Sequence, residues 1–335
     1  MARLLEVRNL ETQFTTAEAI VRAVNDVSFD VQSGKVLGIV GESGCGKSVT
    51  AQSILQILGH SGSIVNGEII FYPEGGGSID LAKLDPKGPE IRAIRGKEIS
   101  MIFQEPMASL CPVYTIGDQI MEGILEHQSV DKDDARKLAL EMLGKVGIPN
   151  PERSIDSYPH QLSGGMRQRA MIAMALACRP RLLIADEPTT ALDVTIQAQI
   201  LDLMQDLQEE LGMGIMLITH DLGVIAETAD NVVVMYLGRT VESAPVEELF
   251  ENPRHPYTKA LLRSIPRPGM KRKAKLASIE GTVPDAYNIP PGCPFHPRCP
   301  EFHPGKCDRA IPASVQVSAD HWVSCILVTE EVMVV

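Results

Sequence analysis

Short apolar runs alternate with stretches of helical character along most of this chain. Residues 35–40, 182–186 and 214–219 are apolar runs of strand length. Residues 47–58 and 166–177 have the composition and spacing of helices. Alternation of this kind is typical of a mostly parallel sheet that is covered by helices, so we predict an α/β fold.

Other segments complete the predicted architecture. Residues 4–31 and 67–72 have the pattern of short strands, and we place them at an antiparallel edge of the sheet. Residues 72–88 contain three consecutive glycines and predict a surface loop. Residues 116–125 and 134–146 predict two further helices.

The first apolar run leads directly into a glycine-rich loop, residues 41–48, with the sequence G-x-x-x-x-G-K-S. Glycines allow successive backbone N–H groups to converge on phosphate oxygens, a geometry that most side chains would block. Lys47 can reach the β- and γ-phosphates of a nucleoside triphosphate, and the Ser48 hydroxyl can bind Mg²⁺. A helix that begins at Lys47 would direct the positive end of its dipole at the phosphates. The predicted nucleotide contacts are Gly41, Ser43, Gly44, Cys45, Gly46, Lys47, Ser48 and Val49.

The second apolar run ends in two acids, Asp186 and Glu187. Asp186 is placed to hold Mg²⁺ through water, and Glu187 can polarise the water that attacks the γ-phosphate. The alternative is a pair of capping residues, since acids often lie at strand ends or helix starts for electrostatic reasons. The phosphate-binding loop upstream favours the catalytic interpretation.

Composition limits the classes of partner. The chain has 335 residues, a net charge of −12 and 4% aromatic residues. Nucleic-acid binding needs basic surfaces and stacking platforms, so this balance argues against a nucleic-acid partner. No run approaches the roughly 18–20 apolar residues of a membrane-spanning helix, and the start of the chain lacks an export signal. We expect a cytoplasmic protein that reaches the membrane through its partners.

A third motif, Leu-Ser-Gly-Gly-Met at residues 162–166, lies between the loop and the two acids. With these motifs in this order, the chain resembles the ATP-binding cassette (ABC) ATPases, the motor subunits of membrane transporters. Met166 is a mild departure, because the family often has Gln there. The resemblance implies a P-loop NTPase cassette over residues 1–250, with a mostly parallel sheet, an antiparallel edge and a helical subdomain at about residues 105–175. It also implies head-to-tail pairing with a second cassette, identical or a sister subunit, whose ATP is contacted by Ser163, Gly164 and Gly165.

The resemblance assigns roles to further residues. Gln104 matches the residue that contacts Mg²⁺ and couples to the membrane subunit, and His220 matches the switch histidine that contacts the γ-phosphate. Residues 190–193, Thr-Ala-Leu-Asp, match the loop that crosses the dimer interface and ends at Asp193. Phe14 matches the aromatic residue that stacks on adenine, although it could equally belong to the core. The implied catalytic residues are Glu187, His220, Gln104 and Lys47, and the implied Mg²⁺ contacts are Ser48, Gln104 and Asp186.

The chain beyond residue 250 is rich in proline and holds four of the seven cysteines, Cys293, Cys299, Cys307 and Cys325, with the spacing C-x5-C-x7-C-x17-C. Its apolar residues are too few for a core of its own, and a small segment of this kind usually needs disulfides or a bound metal for stability. Disulfides are disfavoured in a cytoplasm that keeps thiols reduced. Zinc sites commonly contain closely spaced cysteine pairs, which are absent here, and four thiolates at irregular spacing also suit a [4Fe–4S] cluster. The spacing alone leaves iron–sulfur, zinc and four inert cysteines open.

Two local features narrow the resemblance to the ATPases of dipeptide and oligopeptide importers. These are the sequence Asn-Pro-Arg-His-Pro-Tyr-Thr at residues 252–258 and the C-x5-C pair, which belong to a similar C-terminal extension in that group. Four such cysteines bind a [4Fe–4S] cluster in members of the group, so the resemblance favours iron–sulfur over Zn²⁺ for residues 251–335. We expect His296, His303 and His321 to be polar loop residues.

The resemblance also implies the partners and the location. The partners are a second ABC ATPase, two integral membrane permease subunits and, indirectly, an extracytoplasmic peptide-binding protein. The location is the cytoplasmic face of the cell membrane, where the chain would be a peripheral protein.

Alternatives for the function stay open. Importers of this group also move nickel complexes, sugars and antimicrobial peptides. Nothing in an ATPase subunit recognises the transported solute. A soluble ABC ATPase that acts on nucleic acid or the ribosome is disfavoured by the acidic charge and the single cassette. The cysteine-containing extension is also a candidate redox-sensing module that gates the ATPase.

Overall fold

The structure is a computed structural model that describes residues 2–104, 109–189, 193–265 and 279–328. The chain forms two compact units. The first unit comprises Met1–Leu5, Val31–Val36 and Phe71–Ile218, and the second comprises Glu6–Asp30, Leu37–Ile70 and Thr219–Val335.

Strands and helices alternate as the sequence predicted. Within the described residues, the strands are β1 (Arg3–Thr15), β2 (Ile20–Gln32), β3 (Val36–Val40), β4 (Gly62–Phe71), β5 (Ile79–Asp80), β6 (Ile99–Ile102), β7 (Leu182–Asp186), β8 (Gly214–Ile218), β9 (Asn231–Tyr236), β10 (Arg239–Pro245), β11 (Val315–Ser318) and β12 (His321–Val323). In the same ranges, the helices are Lys47–Ile54, Pro89–Ile94, Ile116–His127, Lys132–Lys145, Pro151–Ser154, Gly164–Leu176, Val194–Leu211, Leu222–Thr228, Val246–Glu251 and Pro256–Arg263.

The first unit is built on the parallel strands β6, β7 and β8, in that spatial order. Ile99 pairs with Leu182, and Asp186 pairs with Ile218, so all three strands end at the same edge. Every residue of these strands is buried, as expected where helices cover both faces of a parallel sheet. The sheet therefore aligns the carboxyl ends where polar residues begin.

Helices of the first unit occupy the part of the chain where the helical subdomain is predicted. Ile116–His127 begins with a reciprocal capping box, in which the Thr115 hydroxyl accepts the N–H of Asp118 and the Asp118 carboxylate accepts the N–H of Thr115. Asp131 caps Lys132–Lys145 through its side chain, which accepts the N–H of Asp134 at 2.9 Å. These two helices pack against each other and against Gly164–Leu176.

The second unit contains two sheets. Strands β2, β1 and β4 are neighbours in one of them. The other has the order β11, β12, β10, β9 and β3, where β3 and β9 are parallel and the remaining pairs are antiparallel. The parallel pair brings the end of β3 beside Val234, which positions the loop that follows it.

Three predicted elements differ in extent from those in the structure. Strands β1 and β2 are 13 residues long rather than short, and each has buried positions along most of its length. The helix expected over residues 47–58 ends at Ile54, since Gln56 takes a left-handed conformation with φ 50°. The loop predicted at residues 72–88 contains the two-residue strand β5 and a single 3₁₀ turn, Leu81–Lys83.

The C-terminal segment is attached to the sheet of the second unit. Strand β12 pairs with β10 through Glu242 and Val323, and β11 continues the sheet. Val323, Cys325 and Val328 form a small buried cluster there. A segment with few apolar residues thus gains order by extending an existing sheet. The predicted domain boundary at residue 250 stays a prediction.

In the part of the chain that the structure describes, no helix is both long and apolar enough to cross a bilayer.

Candidate nucleotide-binding site

The phosphate-binding loop connects β3 to the Lys47–Ile54 helix within the second unit. Gly46 has φ 101°, and a Cβ at this position would collide with the carbonyl oxygen of Ala23. Only glycine fits such a position without strain. The Gly46 carbonyl accepts the N–H of Thr50 at 2.9 Å, so the helix starts directly after the turn. The strand, glycine turn and helix predicted from the sequence are all present.

Lys47 is buried inside this loop. Its ammonium donates to the carbonyl oxygens of Gly41 at 2.7 Å and Glu42 at 3.2 Å. Burial also raises the pKa of the neighbouring Cys45 thiol, an effect that the Lys47 charge partly opposes. The loop therefore holds a cation at its centre, where the β- and γ-phosphates of a nucleotide would bind.

Two residues far along the chain hold the loop, and neither could be predicted from the sequence. The Tyr257 hydroxyl accepts the N–H of Glu42 at 2.9 Å. The guanidinium of Arg298 donates to both carboxylate oxygens of Glu42, at 2.6 and 3.1 Å. Both contacts join residues more than 200 positions apart, which no local pattern can reveal.

Glu187 and Gln104 meet in the first unit, at the ends of β7 and β6. The side-chain amide of Gln104 donates to Oε2 of Glu187 at 3.0 Å. The backbone N–H of Glu187 donates to the carbonyl of Ile218 at 2.8 Å, which fixes the turn after β7. Asp186, at the last position of β7, is buried. The structure thus brings together two residues that the resemblance assigned to one reaction.

Glu187 also has an unusual backbone. Its φ is 47°, in the left-handed region that non-glycine residues seldom occupy. Residues held in such conformations cluster at functional sites, where the surrounding structure compensates their cost. The compensation here includes Gln168, whose side-chain amide donates to the carbonyl of Pro188 in the same turn.

The predicted signature motif caps a helix. Ser163 is the N-cap of Gly164–Leu176, and its hydroxyl accepts the N–H of Met166 at 3.3 Å. Ser163 and Gly164 are exposed, and Gly165 is half-buried. An exposed helix start offers N–H groups and a hydroxyl to an anion on another molecule. Since Gln168 of this helix bonds Pro188, the signature helix is tied to the turn that carries Glu187.

The other residues that are predicted to contact the nucleotide lie at the ends of helices or strands, or within a strand. Asp193 caps Val194–Leu211 by accepting the N–H of Ile196 at 3.0 Å, whereas residues 190–192 lie outside the described residues. His220 is exposed just after β8. Phe14 is half-buried on β1 and lies close to Gly62. Their roles towards a nucleotide stay predictions.

The four C-terminal cysteines line one small cavity, together with His255, Phe295 and Glu301. All four are free thiols. The N–H of Cys293 donates to the carbonyl of Cys307 at 2.8 Å, which joins two of the cysteine-bearing turns. Burial, with smaller contributions from neighbouring cysteines, raises the pKa of the Cys293 thiol to about 11 and that of the Cys299 thiol to about 12.

The cavity does not have the geometry of a ready-made metal-ion site. Within the ranges that the structure describes, no three His, Cys, Asp or Glu side chains are placed to hold one metal ion. The four thiols lie around one cavity without a formed ligand set, so the iron–sulfur or zinc site stays a prediction.

The prediction that His321 is a loop residue is wrong. His321 opens β12, is fully buried, and its Nε2 lies 2.8 Å from Oε1 of the equally buried Glu242. Glu242 also accepts the backbone N–H groups of Arg254 and His255 at 2.6 and 3.0 Å. Burial raises the pKa of Glu242, but these hydrogen bonds outweigh burial and lower it. No local pattern predicts this buried pair, because Glu242 lies 79 positions before His321 in the sequence.

Family comparisons agree with this geometry. The ABC transporter family model matches residues 24–190, and the model described as "Oligopeptide/dipeptide transporter, C-terminal region" matches residues 241–307. A dimeric ATP-binding cassette solved with ADP and phosphate, MJ0796, has a TM-score of 0.63 and 28% identity, and the alignment covers 72% of this chain and 98% of that one. The fold is therefore that of a P-loop NTPase of the ABC cassette type, as predicted.

Curated relatives match over nearly the whole chain. A putative peptide import ATP-binding protein of Brucella melitensis is 54% identical over 329 residues, 96% of each chain. The dipeptide transport ATP-binding protein DppD of Bacillus subtilis is 51% identical over 326 residues, 97% of this chain and 95% of that protein. The DppD of Escherichia coli is 49% identical over 310 residues, 92% of each. The chain belongs to the ABC transporter family of ATP-binding proteins, and its enzymatic class is ATPase.

Proposed function

We propose that this chain is the ATP-hydrolysing subunit of a membrane importer for dipeptides and oligopeptides. The observation that carries the proposal is the match of residues 241–307 to the C-terminal region of oligopeptide and dipeptide transporters, beside the cassette match at residues 24–190. Relatives that share about half of their residues over nearly the full length are named for peptide transport. The transported solute is therefore proposed to be a short peptide.

Each predicted site residue has a separate role in the binding or hydrolysis of ATP. Lys47 and the N–H groups of the loop bind the ATP phosphates, and Ser48, Asp186 and Gln104 contact Mg²⁺. Glu187 is the general base that polarises the attacking water, and His220 contacts the γ-phosphate. The hydrogen bond from Gln104 supports this role, because it fixes the Glu187 carboxylate in one orientation.

A second cassette completes the proposed assembly, either a copy of this chain or a sister subunit. Ser163, Gly164 and Gly165 face its ATP, and Asp193 lies in the interface. The exposure of Ser163 and Gly164 supports the assignment, as does the solved relative, which is dimeric. Closure of the two cassettes on ATP drives two permease subunits, so that the chain works as a peripheral protein on the cytoplasmic face of the membrane. An extracytoplasmic binding protein delivers the peptide.

The C-terminal cysteines are proposed to hold a [4Fe–4S] cluster, with zinc as the alternative. The four thiols surround one cavity without meeting at a single point. In such a cluster each thiolate binds a different iron, so the sulfurs surround the group, whereas four zinc ligands must converge on one ion. When bound, the cluster supplies four covalent links and a redox-active centre to a segment with little core.

The transport proposal is tested by uptake of labelled dipeptides and oligopeptides in cells that lack this gene. We expect the deletion to abolish uptake of one of these classes and the wild-type gene to restore it. Unchanged peptide uptake, together with loss of nickel or sugar uptake, would replace the peptide with that solute.

The cluster proposal is tested by the iron, acid-labile sulfide and zinc content of protein purified without oxygen. We expect about four iron and four sulfide per chain. Zinc without sulfide would establish the alternative, and the absence of all three would remove the metal proposal.

A further inference from the structure

The side chain of Glu42, in the phosphate-binding loop, is held by Arg298 from the cysteine-bearing segment. The guanidinium donates to Oε2 at 2.6 Å through Nη1 and to Oε1 at 3.1 Å through Nη2. The side chain of Arg298 is 3% exposed and that of Glu42 is 25% exposed. A bidentate pair with one partner buried is both directional and stronger than a surface ion pair.

Arg298 is itself fixed in place by the second unit. Its Nε donates to the carbonyl of Glu280 at 3.1 Å, and Nη1 also donates to the Tyr236 hydroxyl at 3.3 Å. The guanidinium carbon lies 5.9 Å from the centre of the Tyr236 ring, within cation–π range. Glu42 is therefore bound to a rigid anchor and not to a flexible surface arginine.

The backbone of Glu42 has a second anchor, the Tyr257 hydroxyl, which accepts its N–H at 2.9 Å. Tyr257 is fully buried and its ring packs against Tyr236 and Phe295, with centroid distances of 4.7 and 5.3 Å. Phe295 is two residues from Cys293 and three from Arg298. One aromatic cluster thus supports both anchors of the loop.

These contacts bear directly on the lysine that would bind phosphate. The Lys47 ammonium donates to the carbonyls of Gly41 and Glu42, so a shift of residue 42 moves two of the atoms that orient it. Arg298 also neutralises the only carboxylate in residues 41–48. Without this partner, a negative charge would remain in a loop that has to accept a polyphosphate.

We propose that Arg298 and Tyr257 are positioning residues for the phosphate-binding loop, through which the C-terminal segment sets the affinity of the cassette for ATP. The inference rests on the proposed role of this loop in ATP binding. It gives the extension a role in the nucleotide cycle that does not depend on the identity of any bound metal.

The test compares Arg298→Met, Glu42→Gln and the double variant by titration with Mg²⁺ and a non-hydrolysable ATP analogue. We expect Arg298→Met to weaken binding about tenfold, which corresponds to loss of one charge-assisted pair. Glu42→Gln should weaken it less than about threefold, since no unpaired carboxylate remains. The double variant should bind with an affinity between those of the two single variants, because the guanidinium that positions residue 42 is lost but no unpaired carboxylate remains.

Steady-state kinetics separate positioning from a general loss of structure. KM for ATP should rise with the dissociation constant while kcat changes by less than about twofold, because the proposed base is unaltered. Arg136→Met is the matched control: it breaks an equally bidentate pair with Asp156, at 2.9 and 2.8 Å, in the other unit. Its affinity for the analogue should equal that of the wild type.

Several outcomes would overturn the proposal. Wild-type affinity for the analogue in Arg298→Met would do so. So would a double variant whose loss of affinity exceeds the product of the losses in the two single variants. Should Arg298→Met fail to fold, Tyr257→Phe retains the ring and removes only the hydroxyl, and unchanged affinity there would also overturn it. Failure of the wild type to bind the analogue would instead refute the proposed function of the loop.

Discussion

The phosphate-binding loop and the cysteine-bearing segment of residues 279–328 differ in how far their structures can be predicted from local sequence. The loop follows from eight consecutive residues, between a buried strand and a helix, with glycines where the backbone requires them. The C-terminal segment depends on partners that are distant in sequence, such as Glu42 for Arg298 and Glu242 for His321. The first region can be recognised locally, whereas the second acquires its structure only in the folded chain.

The C-terminal segment bears on nucleotide binding as well as on stability. The loop contains the groups that bind phosphate, but the residues that hold Glu42 in place come from the C-terminal segment. A change in the segment should therefore appear in two ways, as lost stability of the second unit and as altered nucleotide binding.

The largest expected effect belongs to the catalytic turn of the first unit. Glu187→Gln should bind ATP with near-wild-type affinity and lower the rate of phosphate release by about 100-fold or more, because general-base catalysis typically contributes 10²–10⁴-fold. The matched control is Glu210→Gln, which alters a half-exposed carboxylate paired with Lys145. Near-normal turnover in Glu187→Gln would remove Glu187 from the role of base.

A smaller effect tests whether the C-terminal segment depends on its distant partners. His321→Ala leaves the buried Glu242 carboxylate without the His321 hydrogen bond, and we expect a loss of about 3 kcal/mol in the free energy of unfolding. The control is Arg136→Ala, which breaks an exposed pair and should cost about 0.5 kcal/mol. Chemical denaturation of both variants measures the difference, and equal losses would contradict the buried-pair account.

The same pair gives a pH dependence with a definite sign. Folding lowers the pKa of Glu242, so its ionised form stabilises the folded state. This contribution is complete above the unfolded-state pKa of about 4.3 and disappears as the pH falls through the lower pKa of the folded state. Denaturation curves between pH 6 and 3 should therefore converge for the wild type and His321→Ala at the acidic end. A constant gap between the two curves would show that His321 acts through packing alone.

The smallest expected change is in the iron content of the protein and not in a reaction rate. Cys293→Ser removes one of the four thiols at the cavity and should reduce the iron content from about four per chain to less than one. Cys111→Ser, which alters an exposed cysteine far along the chain from the cavity, is the control and should retain all of the iron. Full iron content in Cys293→Ser would exclude that cysteine as a ligand.

The sequence predicted the parts of the fold that depend on neighbours along the chain. The β3–loop–helix unit and the β7 strand ending in Asp186 follow from apolar runs and glycine positions. The left-handed conformation of Glu187 was not predictable, because it depends on the bond to Ile218 and on Gln168 holding the next carbonyl. The burial of His321 is not predictable from the sequence for the same reason, since it depends on β10 and β12 pairing across almost 80 residues.

ATP hydrolysis by this chain is proposed to drive peptide uptake, and a complementation assay tests this coupling. Cells that lack the gene are supplied with the wild type, Glu187→Gln or Glu210→Gln, and uptake of a labelled dipeptide and a labelled oligopeptide is followed with the other subunits unchanged. The wild type and Glu210→Gln should restore uptake of the same peptide class, and Glu187→Gln should not. Full restoration by Glu187→Gln, or none by the wild type, would refute the coupling of hydrolysis to uptake.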